Sequence, residues 1–368
     1  MKVSGWRFWG MCVVVLAVVA GCDDGPAGIP PDESLDLGLP WVSTDPSAVG
    51  MSANALFVAG QTGADIARLE SLIVVREGRV VYERYYRDME RDSLADVRSV
   101  TKSIVATLAG IAIESSAIDD VDDPITDYLD PTSFNLRPEH EDITVRDLLQ
   151  MTSGIQWLES GGPDYNVWIQ SADHENAVLD RAISNEPGTT FTYNSGAVHL
   201  LGVVLEGAVG RGLADYAQEV LFTPLGIRQV SWEDLGRGFV NGGSGIDLRP
   251  RDLARLGQLY LQQGFSGDRR IVPESWIDEV TTQRWNNLGS YGAISRLSYG
   301  YLWWMDVQRG AYLAWGYGGQ FIYVVPDERL VVVATTHWPG VSQDEGSDVV
   351  TREVIALITG PVLAAVDR

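Results

Sequence analysis

Strand-like and helix-like stretches in this chain are segregated rather than interleaved, and that order restricts its possible folds more than any other feature. A helix is expected over 52–70, and 71–86 reads as two strands about a Glu77-Gly78 turn. Strand patterns then return only in the last quarter, at 299–304, 311–314, 320–326 and 329–335, where apolar, β-branched and aromatic residues run together. Between these ends lie a helix and turn at 142–155 and helical patterns at 173–184, 196–209, 213–222 and 250–263, and a closing helix is expected at about 348–357. Strands at both ends form one layer only if the termini meet. The expected fold is therefore α/β (α+β): an antiparallel sheet built from both termini, flanked by helices and interrupted by an all-helical insertion. Its domain would span 48–365, with sheet parts at about 48–98 and 285–365 and a helical part at about 99–284.

The 368 residues give ample core for such a domain. A net charge of -23 argues against nucleic acid as a partner. Both cysteines, Cys12 and Cys22, precede the domain and leave it no disulfide. Residues 1–21 carry basic residues, a short apolar run and small residues before Cys22, the pattern of an export signal. The run Val18-Val19-Ala20-Gly21-Cys22 resembles the bacterial lipobox, which implies lipidation at Cys22, anchoring to a bacterial membrane and a domain facing the periplasm or cell exterior. Residues 22–47, rich in Pro, Gly and Asp, read as a flexible tether.

The chemistry centres on Ser99-Val100-Thr101-Lys102, at the head of an almost wholly apolar helical run, 103–113. Residues three apart share a helix face, so hydroxyl and amine project into one cleft. A neutral amine beside a serine can take its proton, and burial lowers a lysine's pKa toward that state. The same spacing also suits an N-capping serine followed by a first-turn lysine. Lysine occurs only at Lys2 and Lys102, however, and arginine fills every other basic position. Where a plain positive charge suffices, this chain uses arginine; a guanidinium cannot deprotonate, whereas an amine can. Lys102 therefore reads as a base. Tyr193 is a second proton carrier, on a Pro-Gly and Asn-Ser-Gly loop just before a helix.

Ser99-Val-Thr-Lys102, Tyr193-Asn194-Ser195, Ile143-Thr-Val-Arg-Asp-Leu-Leu with Thr152-Ser-Gly, and Phe222-Thr-Pro-Leu-Gly-Ile227 together resemble the serine beta-lactamase-related superfamily. They are similar to its class C branch, with its esterases, D-aminopeptidases and 6-aminohexanoate-dimer hydrolases. The resemblance implies an acyl-enzyme on Ser99, with Lys102 as base and Tyr193 as acid/base. Two positions depart from the family. Ser195 stands where lactamases commonly have asparagine, and Ala314-Trp-Gly-Tyr-Gly-Gly-Gln320 lacks the basic residue of the third motif. Its glycines still allow close approach, so a backbone N–H near Tyr317, with that of Ser99, is the oxyanion candidate. Ser195, Trp315, Gly318 and Gln320 are pocket candidates, and Trp157, Trp168, Trp285, Trp303 and Trp304 could join Trp315 around an apolar acyl group. Without the basic residue, neutral esters and amides are favoured over carboxylate-bearing lactams.

No metal or cofactor is expected. His140, His174, His199 and His337 are scattered without ligand spacing, Gly-x-Ser-x-Gly is absent, and Gly316–Gly319 lacks the setting of a nucleotide loop. The alternative to a hydrolase is a non-catalytic lipoprotein of the same fold that binds cell-wall peptides or senses ligands.

Overall fold

The computed structural model describes residue 29 and residues 33–338 and 346–367. The stretch read as an export signal and lipobox, with Cys22, lies outside the described residues. Helix α1 (Ala53–Asp65), capped by Ser52, leads into the hairpin β1 (Leu69–Arg76) and β2 (Arg79–Tyr85). Glu77 and Gly78 both have left-handed φ (49° and 69°), which a two-residue turn matching the twist of its strands requires. Strand β3 (Ala95–Asp96) precedes α2 (Val100–Glu114). The helical middle contains α3 (Val145–Leu149), α4 (Asp164–Trp168), α5 (His174–Leu179), α6 (Ser195–Val209) and α7 (Leu213–Ala217). Strands β4 (Val230–Trp232) and β5 (Ile246–Leu248) pair with β3 in a small sheet ordered β3-β5-β4. Helix α8 (Pro250–Leu261), the ribbon β6 (Phe265–Ser266) and β7 (Arg269–Arg270), and α9 (Glu274–Thr281) follow. The chain closes with β8 (Leu297–Tyr299), β9 (Trp304–Asp306), β10 (Ala311–Gly316), β11 (Gln320–Val325), β12 (Leu330–Thr336) and α10 (Ser347–Leu357).

The main sheet has the order β2-β1-β12-β11-β10-β9-β8 and is antiparallel throughout. The termini do meet in it, because β1 lies directly beside β12, with Ile73 opposite Val333. Both faces are covered, so its inner strands read as continuous apolar runs rather than alternating ones. Ile73, Val75, Ile322 and Val333 share a core with α2 and α8, whereas Leu72, Val74, Phe321 and Val332 share one with α1 and α10. Burying each such side chain contributes roughly 1.5–3 kcal/mol.

Four features differ from the sequence reading. Residues 33–47, placed in the tether, lie against the domain: Leu37 is buried, its N–H donates to Ser266 Oγ (2.8 Å), and Thr44 N–H donates to Val80 O (3.1 Å). Of the helix and turn expected at 142–155, the helix is short, ending at Leu149, since Met151 takes a left-handed φ of 63°. The expected strand at 299–304 is split into β8 and β9 by a turn with Leu302 at φ 57°. Helix α8, assigned to the helical part, packs across β11 and β12.

Candidate active site

Ser99 sits where the small sheet hands over to α2. Val97 N–H donates to Ile246 O (3.0 Å), anchoring the turn to β5. Arg98 then adopts φ 50°, a left-handed conformation that costs a non-glycine residue about 1–3 kcal/mol. Its side chain holds the turn in place, pairing with Asp96 (2.8 Å) and donating to Trp338 O (2.8 Å). Ser99 is consequently presented, half-buried, at the N-terminus of α2. It makes no side-chain cap there, so the N-capping reading of its hydroxyl does not apply.

One helical turn on, Lys102 is 1 % exposed. Its Nζ lies 2.9 Å from Ser99 Oγ, 2.8 Å from Ser195 Oγ and 2.6 Å from Gly243 O. Burial pushes its pKa down to about 8, against the opposing pull of the Glu159 charge. Tyr193 comes from the loop before α6. That loop is tied down by Thr192 N–H to Met151 O (2.8 Å) and Asn194 N–H to Met151 Sδ (3.4 Å). The family-like stretch around Thr144 and Asp147 is thus a brace: Asp147 accepts from Thr144 and Thr152 and fixes the turn that carries Met151. The Tyr193 ring lies 5.0 Å from Lys102 Nζ and stacks on Trp304. Burial pushes its phenol well up and the Glu159 charge adds to this, while a hydrogen bond with Ser99 acts the other way.

These groups open on a cavity of about 500 Å³ lined by Ser99, Tyr193, Tyr165, Trp304, Trp315 and Tyr317, among others. Tyr317, Gly318 and Gly319 form the β10–β11 turn, and strand β10 reaches the Ser99 turn because Gly316 has no side chain. A Cβ there would stand 2.3 Å from Val97 O. The Ser99 turn and the β10–β11 turn are therefore juxtaposed, with Ser99 and Tyr193 lining the cavity and the Lys102 amine buried against the Ser99 hydroxyl.

The family model described as Beta-lactamase matches residues 67–354, spanning every element that contributes to this site. The chain belongs to the beta-lactamase family. It is 24 % identical over 292 residues to a 6-aminohexanoate-dimer hydrolase of Paenarthrobacter ureafaciens, covering 73 % of each chain. It is also 30 % identical over 217 residues to Esterase EstB of Burkholderia gladioli, covering 52 % of this chain and 55 % of that one. A penicillin-binding protein from Bacillus halodurans superposes with a TM-score of 0.65 at 16 % identity, covering 82 % of this chain and 99 % of the other. The beta-lactamase family fold is thus shown, and its relatives support a hydrolase.

Within that family frame, two pocket candidates are corrected. Ser195 is fully buried behind Lys102 and does not line the cavity. Gln320 is 1 % exposed and turns away to bond the backbone and hydroxyl of Thr336. Trp315 and Gly318 do line the cavity. Of the other tryptophans only Trp304 does. Trp157 and Trp168 pack together in the helical part, Trp303 packs on Tyr260, and Trp285 on Phe191. Arg98, Glu159, Tyr165, Gly243 and Ser244 are site residues that the sequence reading missed. None stands at a diagnostic spacing from Ser99; only the left-handed turn at Arg98 abuts the motif. Among the described residues no cluster of His, Cys, Asp or Glu has metal-site geometry.

Proposed function

We propose that the protein is an ester- or amide-cleaving serine hydrolase working through an acyl-enzyme on Ser99. The observation that carries this reading is the 2.9 Å contact between Ser99 Oγ and the amine of Lys102, which burial pushes down to about 8. In acylation Ser99 Oγ attacks the carbonyl carbon as its proton passes to neutral Lys102. The oxyanion is held by the N–H groups of Ser99 and Tyr317, a role supported by their backbones flanking one cavity. As the tetrahedral adduct collapses, the leaving oxygen or nitrogen takes the Tyr193 proton, and Lys102 returns one to the phenol. The raised phenol pKa suits Tyr193 to this donor role rather than to that of a resting phenolate. Water repeats the sequence in reverse, releasing the acid and restoring Ser99.

The substrate is proposed to be a neutral ester or amide with an apolar acyl group. Aromatic rings dominate the cavity wall, and its acidic members are Glu159 and Asp348. The basic lining residue, Arg98, is already paired with Asp96. Asp348 is likewise paired with Arg352, so a substrate carboxylate would meet the Glu159 carboxylate and find the lining cation Arg98 already committed. The names of the relatives, a dimer-amide hydrolase and an esterase, support the same choice. The test compares p-nitrophenyl butyrate with nitrocefin and labels the protein with a fluorophosphonate. Ester turnover well above nitrocefin turnover, with the adduct on Ser99, is expected. Faster nitrocefin hydrolysis would make it a lactamase; neither turnover nor adduct would favour the ligand-binding alternative.

A further inference from the structure

The contacts of Lys102 raise a question of hydrogen-bond direction. A neutral amine offers two N–H donors and one lone pair, and the lone pair must face Ser99 Oγ–H for proton transfer. The other two neighbours must then both accept. Gly243 O can only accept. The hydroxyl of Ser195, 2.8 Å away, can either accept or donate. If it donated, it would occupy the lone pair and turn the amine away from Ser99.

Glu159 removes that ambiguity. Its Oε1 lies 2.5 Å from Ser195 Oγ, and a carboxylate only accepts, so the single Ser195 proton is committed to it. The carboxylate is itself fixed, with Oε2 accepting from Ser195 N–H at the head of α6 (3.0 Å) and from Trp157 Nε1 (2.5 Å). We propose that Glu159 is a positioning residue that acts through the Ser195 hydroxyl to aim the Lys102 lone pair at Ser99. The inference rests on the reading of Ser99 as nucleophile and Lys102 as base. It also gives the Ser195 departure a purpose: a serine paired with a carboxylate can be locked as an acceptor toward the lysine. Glu159 has a second, electrostatic effect, holding the Lys102 pKa above where burial alone would put it. The titratable groups facing Lys102 among the described residues are Glu159 and the phenol of Tyr193, with Arg98 and Tyr165 further along the cavity wall.

The two effects separate by substitution. Glu159→Gln removes the charge but keeps an oxygen that can accept from Ser195. The acid limb of kcat/KM for p-nitrophenyl butyrate should move to lower pH, with the plateau within about ten-fold of wild type. Glu159→Ala frees the Ser195 hydroxyl to donate, and the plateau should fall by about 10²-fold, the low end for a misplaced general base. Adding Ser195→Ala removes the competing donor, so Glu159→Ala/Ser195→Ala should be no less active than Glu159→Ala. A role confined to bracing the loop would move neither the acid limb nor the sign of this coupling. Losses that multiply in the double variant, or a Glu159→Ala plateau equal to wild type, would overturn the proposal, and an unmoved acid limb in Glu159→Gln would remove the electrostatic effect. If Glu159→Ala does not fold by near-UV circular dichroism, Glu159→Leu, which also removes the acceptor from Ser195, takes its place with and without Ser195→Ala. Wild-type ester turnover and the Ser99 fluorophosphonate adduct are measured alongside. Their absence refutes the hydrolase reading itself, whereas an active wild type with unmoved variants refutes only the role of Glu159.

Discussion

At the scale of residues, the proposed mechanism asks an amine to lose its proton in a place where a charge is poorly solvated. Lys102 is 1 % exposed, and its partners are two hydroxyls and one carbonyl. With its pKa near 8, it is mostly ammonium at pH 6 and mostly free amine at pH 10. The acylation rate should therefore rise with pH and reach half its plateau near pH 8, read from the pre-steady-state burst of p-nitrophenol. Lys102→Arg keeps the charge and removes the base, because a guanidinium stays protonated throughout. It should lower kcat/KM on the order of 10³-fold or more and abolish the rising limb. A folded Lys102→Arg protein with wild-type rates would refute proton transfer by this residue. Lys102 was legible in the sequence because the chain's preference for arginine left it as an exception. Glu159 was not: its partner Ser195 lies 36 positions away, and only the folded loop brings carboxylate and hydroxyl together.

At the scale of elements, the site is a junction of three pieces whose separate geometries are ordinary. The small sheet fixes Val97, α2 begins at Val100 with Ser99 as its first flanking residue, and β10 delivers its last residue, Gly316, against Val97 O. Gly316→Ala would place a methyl group 2.3 Å from a backbone oxygen, and neither the sheet nor the helix can yield without shifting the Ser99 turn. Because that contact sets the spacing between the two backbone segments offered as oxyanion donors, kcat should fall by ~10²–10³, the effect of losing one such donor. Far-UV circular dichroism should remain unchanged, and full activity in Gly316→Ala would show that the contact does not matter. Long periodic elements such as α6, α8 and the β1–β2 hairpin were readable from sequence, since burial on fixed faces writes itself into the residue pattern. The β3-β5-β4 sheet was not, because its strands are two or three residues long and β3 pairs with a strand some 150 positions later. Nor was the end of α3, where a left-handed Met151 overrides an apolar pattern that would extend the helix.

At the scale of the whole molecule, the segregated order of strands and helices predicts a sheet closed by the two ends of the chain, and β1 beside β12 realises it. That order also suggests a helical part able to stand apart, and the packing argues otherwise. One continuous apolar core contains Ile73, Val75 and Val333 of the sheet together with Leu148, Leu200 and Leu205 of α3 and α6. Helices α2 and α8 belong to both regions, since each lies on the sheet while continuing the helical layer. Removing residues 99–284 from the sheet would expose this core on both fragments at once. Chains of this size often unfold through intermediates, but the route open to two-domain proteins, loss of one domain while the other persists, requires separable cores. The wild-type protein should therefore lose far-UV ellipticity and tryptophan fluorescence along one superimposable denaturant transition. A fragment of residues 99–284 should show no cooperative melt. A fragment that melts cooperatively, or two resolved transitions in the intact protein, would mean that the helical part folds independently and that the site forms only when two finished bodies dock.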